Sequence, residues 1–88
     1  MRLKLGIFTV FDTAAKQYKP PFNAETPELA KRMFSEIAND PRTEVHKYPH
    51  EFALYSVGEF DVMTGEVVSY APESLGNAAQ YLKPEVSE

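Results

Sequence analysis

With 88 residues the chain suffices for one domain, and a chain this short buries only about 60% of its unfolded surface. A hydrophobic fraction of 43%, with six Phe and five Tyr, excludes global disorder, and the lack of cysteine excludes a disulfide framework or a thiolate metal site. The net charge of −4 is uneven: residues 1–50 hold eight Lys/Arg against six acids (+2), and residues 51–88 hold Lys83 against seven acids (−6).

In chain order, Leu3, Leu5, Ile7, Thr9 and Phe11 alternate with Arg2, Lys4, Gly6, Phe8 and Val10. Period two with β-branched and aromatic residues predicts a strand, and apolar residues on both faces toward its end predict a central one. Asp12-Thr13-Ala14-Ala15 predicts a turn, Lys16 to Lys19 a short returning strand, and Pro20-Pro21 its end. Thr26 as cap, Pro27 at the first helical position and a stripe of Leu29, Ala30, Met33, Phe34, Ile37 and Ala38 predict a helix over 27–38, stopped by Asn39-Asp40-Pro41. Residues 42–51 lack a clean period and read as a loop with a short turn. Phe52 to Phe60 and Glu66 to Tyr70 read as a second hairpin around Gly65, with Pro72 as its stop. Residues 74–82 suggest a short second helix, weakened by Gly76, and residues 84–88 an acidic, disordered tail.

The fold expected is therefore α+β: two antiparallel β-hairpins forming one sheet, with one main helix packed on one face, in a single domain over 1–83. The other sheet face is left for solvent, a ligand or a partner chain, and Phe8, Tyr18 or Tyr55 exposed there would form a patch that needs a role. The N-terminus is charged at once and lacks a signal-peptide core, and no run nears the roughly 18 apolar residues of a membrane span. A cytoplasmic protein with no membrane association is expected.

Catalytic motifs are missing. The five serines lack a nucleophile context, and the four glycines are scattered singly, which disfavours nucleotide cofactors. His46 and His50 have a helical metal spacing, but Pro49 between them disturbs that geometry and ordinary loop histidines are the better reading. Asp61 to Glu66 lacks the alternating acids of a calcium loop. No enzyme activity, cofactor or metal is expected. What does recur is a cation beside a ring: Arg42, Lys47 and Tyr48 in one loop, Lys16 and Lys19 around Tyr18, Arg2 and Lys4 near Phe8. Single-stranded nucleic acid is bound by that combination, cations meeting phosphates and rings stacking on bases. The sequence pI of about 5.1 argues the other way.

Leu5-Gly6-Ile7-Phe8-Thr9-Val10-Phe11-Asp12 resembles the opening of the small non-structural protein of gokushoviruses, single-stranded DNA phages of the microvirus group. Pro20-Pro21-Phe22, Tyr48 to Tyr55, Gly58-Glu59-Phe60-Asp61, Thr64-Gly65 and Ser74-Leu75-Gly76 extend the likeness over most of the chain. The resemblance implies a phage protein made in the host bacterial cytoplasm, absent from the virion and DNA-binding. It carries no binding-residue motif, so the candidate site rests on the physical reading. Arg2, Lys4, Lys16, Lys19, Arg42 and Lys47 are the candidate phosphate contacts, and Phe8, Tyr18 and Tyr48 the candidate stacking rings. Core packing is the competing role for Phe8, and half-buried packing for the two tyrosines. The expected function is binding of the phage's single-stranded DNA during genome replication or packaging. A homo-oligomer, with a dimer through a sheet edge or the bare face favoured, would raise avidity. The alternative is a protein-interaction module for a host replication factor or phage assembly protein.

Overall fold

The computed structural model describes residues 4–84. Strands β1 (Lys4–Asp12), β2 (Gln17–Tyr18), β3 (Phe22–Ala24), β4 (Phe52–Asp61) and β5 (Val67–Asn77) form one antiparallel sheet. Helix α1 (Pro27–Ala38) follows β3, and a short helix α2 (Glu44–Lys47) precedes β4. Single 3₁₀ turns cover Pro49–Glu51 and Ala78–Tyr81. The order across the sheet is β2-β1-β4-β5, with β3 beside β2 on the same edge of β1. This is the α+β class the periodicities predict, and α1 has the predicted bounds.

The start of α1 follows from its cap: Thr26 Oγ1 accepts from the Leu29 N–H at 3.1 Å, and Pro27, which lacks an N–H, takes the first position. Asn39 ends it, donating its backbone N–H to Ser35 O at 3.0 Å. The Asn39 side chain then ties down the end of the chain, donating to Tyr81 O at 2.9 Å and accepting from Lys83 N at 2.8 Å. Only one side of the predicted stripe reaches the core. Ala30, Phe34 and Ala38 are buried with Phe8, Leu54 and Phe52, whereas Leu29, Met33 and Ile37, one position earlier in each turn, stay 40–43% exposed.

Pro20-Pro21 ends β2, as the sequence predicts, but pairing with β1 resumes at Phe22 in a strand the sequence did not announce. Gln17–Lys19 and Phe22–Ala24 both pair with β1, the register stepping by one residue between them. An edge strand tolerates proline because its outward-facing groups need no ladder partner, and a bulge absorbs the extra residue. Pro72 does not end β5 for the same reason: β5 is the outer strand and runs on to Asn77. Residues 74–82 form no α-helix. They are strand up to Asn77, and Gly76 at φ +108° turns the chain into a single 3₁₀ turn.

The β4–β5 hairpin closes as expected. Gly65 takes φ +78° and donates its N–H to Asp61 O at 2.8 Å. The protein measures 50 × 31 × 19 Å. Its thin axis accommodates one helical layer, about 10–12 Å across, over one sheet. The second sheet face is bare. No helix among the described residues is long and apolar enough to cross a membrane.

Candidate nucleic-acid interface

Side chains alternate across a strand, so the register sorts them by face. Phe8 stands opposite Ser56 and Val10 opposite Leu54, on the helix side, where Phe8 and Leu54 are fully buried. Thr9 stands opposite Tyr55, and Phe11 opposite both Ala53 and Tyr18, on the bare side. Three rings meet there: Phe11 and Tyr18 with centroids 4.6 Å apart, Tyr18 and Tyr55 at 5.7 Å, Phe11 and Tyr55 at 6.2 Å. Tyr18 is 48% exposed, so its ring is both anchored by its neighbours and open to a ligand.

Cations collect at the end of the sheet where β1 finishes and β4 begins. Asp12 accepts from the N–H groups of Ala14 and Ala15 and holds the β1–β2 turn, in which Lys16 takes φ +58°. One residue past Tyr18, Lys19 donates its N–H to Val10 O and sets its ammonium 5.6 Å from the Phe52 ring centroid. Thr13 bonds Glu51 O with its N–H at 2.9 Å and its hydroxyl at 3.0 Å, and Glu51 N bonds Tyr48 O at 2.9 Å. Exposed Lys47 and Tyr48, the latter 54% accessible, therefore join the same end. The far end is acidic. Glu59, Asp61 and Glu66 surround the β4–β5 turn.

The predicted site residues divide accordingly. Lys16, Tyr18, Lys19, Lys47 and Tyr48 share one end. Lys4 does not join them: it lies opposite Asp61 at the other end of β1, about 26 Å away at roughly 3.3 Å per residue. Phe8 is 1% exposed in the core and has no face to stack on a base. Arg42 is committed to Asp40, with Nε to Oδ1 at 3.0 Å and Nη2 to Oδ2 at 2.9 Å. Its guanidinium lowers the Asp40 carboxyl from 3.8 to about 2, and Asp40 in turn raises Arg42. Arg2 lies outside the described residues, as does most of the predicted tail. His46 is used structurally, its Nδ1 lying 2.9 Å from Ala38 O.

Phe11, Thr9, Val57, Pro21 and Pro72 belong to the bare face and were missed. Parity with Tyr55 was the signal available for Val57, since the two are spaced by two residues in a strand. With Thr9, Tyr18 and Lys19, the last three surround an open pocket of about 250 Å³ with an almost wholly apolar lining.

No curated protein and no solved structure matches the chain. A family model does, over residues 5–81, from the start of β1 to the last 3₁₀ turn. The chain belongs to the Phage ORF5 protein family, a family of bacteriophage proteins.

Proposed function

We propose that this phage protein binds single-stranded DNA through the bare face of its sheet, without catalysis or cofactor, during genome replication or packaging in the host cytoplasm. One observation carries the reading: the Phe11–Tyr18–Tyr55 ring cluster lies open on a sheet face whose nearest end carries Lys16 and Lys19. Rings anchored by one another lose little freedom on stacking, and each base stacked is worth roughly 1–3 kcal/mol. Single strands suit such a face because their bases are free to splay onto it, whereas a duplex keeps its bases stacked. Part of the negative charge, on Glu59, Asp61 and Glu66 around the β4–β5 turn, lies at the far end of the sheet.

The test is titration of a labelled oligonucleotide at low and moderate salt. Single strands are expected to bind more tightly than duplex. Three phosphate contacts, from Lys16, Lys19 and Lys47, give a log–log salt slope of about −2, at roughly −0.7 per contact. No binding at low salt would overturn the reading.

A second reading, an interaction module for a host replication factor or a phage assembly protein, draws on the outer edge of β5. Val67, Val68 and Tyr70 are exposed along that unpaired strand. Strand addition there would serve a partner chain, and equally the second copy expected of a dimer. That reading predicts complex formation without DNA affinity.

A further inference from the structure

We propose that the pocket on the bare face takes one nucleobase, thymine in preference to other bases, methyl edge first. The inference rests on the reading above that this face binds single-stranded DNA.

Three irregularities of the sheet converge on the pocket. On one side the Pro20-Pro21 bulge of the edge strand falls opposite Thr9. In the middle, β4 carries Val57 as an extra residue against β1, where the register steps from Ile7–Gly58 to Phe8–Ser56. On the other side, Tyr70, Ala71 and Pro72 of β5 all fall within the span of that one residue, between the pairs Ser56–Glu73 and Gly58–Ser69. The ladder opens at one place, and Pro21 and Pro72 wall the gap from opposite sides.

Size and chemistry limit the occupant. At about 250 Å³ the space is smaller than the roughly 300–1,000 Å³ that drug-sized ligands use, and suits one planar ring. Tyr18 belongs to both the pocket and the ring cluster, so a base stacked on the cluster has a neighbour poised at the opening. The Thr9 hydroxyl is already committed to Lys19 O, and the surface facing the pocket is almost wholly apolar, so it offers little to read a polar base edge. A polar group buried without a partner is penalised, which disfavours the amino-bearing edges of cytosine and adenine and the N7/O6 edge of guanine. Thymine presents a methyl group on the same edge, and apolar side chains contact that methyl favourably.

The test compares dT12, dU12 and dC12 by fluorescence anisotropy with the full chain, and follows the Val57 and Thr9 methyl signals by NMR. Thymine and uracil differ only by the methyl. Burying it is expected to make dT12 bind about fourfold tighter than dU12, with dC12 weaker than both. The Val57 methyl signals are expected to shift with dT12. Val57→Phe, which fills the pocket, is expected to abolish the dT12–dU12 difference. Should that variant not fold, the wild-type NMR result decides alone. Equal binding of dT12 and dU12 with unmoved Val57 signals would overturn the pocket while leaving the DNA-binding face in place. No binding of any oligonucleotide would overturn both.

Discussion

The Tyr18 and Tyr55 rings meet edge to face, centroids 5.7 Å apart at 83°, on the side of the sheet that α1 leaves bare. Neither ring is needed to close the core, which lies on the other face. Tyr18→Ala and Tyr55→Ala are therefore expected to fold and to weaken single-strand binding by roughly 1–3 kcal/mol each. Because the rings touch, the double variant is expected to lose less than the two single losses added. Isothermal titration of the three variants checks this; unchanged affinity in all three would remove the rings from the interface.

Lys16 and Lys19 lie at the end of the sheet nearest those rings, whereas Lys4 lies at the acidic end beside Asp61. Replacing Lys16 and Lys19 with Ala is expected to weaken binding to all sequences and reduce the salt slope by roughly two contacts' worth. Lys4→Ala is expected to leave the slope unchanged. The dependence of affinity on salt, measured for each variant, separates the two.

Phe8 and Gly58 serve stability. Phe8→Ala empties a fully buried site and is expected to cost about 3–5 kcal/mol. Gly58→Ala would drive a Cβ into Val68 O, a backbone atom, so β4 and β5 must part. A loss of about 1–3 kcal/mol is expected, as for other overpacked sites. Urea unfolding midpoints test both, and an unaltered midpoint for Gly58→Ala would contradict the close approach of the strands.

Asp40 supplies a pH test. Its folded-state value is lowered by the Arg42 guanidinium, so the pair's contribution is complete above the unfolded value and lost as pH falls through the folded one. The wild-type minus Asp40→Asn difference in thermal midpoint is expected to shrink between about pH 4 and pH 2. The Asp40 carboxyl carbon is expected to titrate near 2 by NMR, and a midpoint near 4 would contradict the pairing.

Local signals were legible where one residue decides the outcome. Thr26 and Pro27 mark the start of α1, and Gly65 marks the β4–β5 turn. The adjacency of Asp40 to Arg42 was equally readable, although pairing was not anticipated from it. What was not legible depends on long-range pairing. Both parities of β1 are apolar, so nothing local decides that Phe8 turns inward while Phe11 turns out. Pro72 reads as a stop, and the return of pairing at Phe22 past Pro20-Pro21 goes unseen, because edge placement is a property of the assembled sheet. Lys4 and Lys16 are both basic near the start of the chain, yet β1 separates them along its length.

Which face meets DNA is measured most directly by amide and methyl NMR during titration with a single-stranded oligonucleotide. Shifts are expected at Thr9, Phe11, Tyr18, Tyr55 and Val57, and none at Leu29, Met33 and Ile37 on the exposed side of α1. Shifts confined to α1, or to the outer edge of β5, would contradict binding through the bare sheet face.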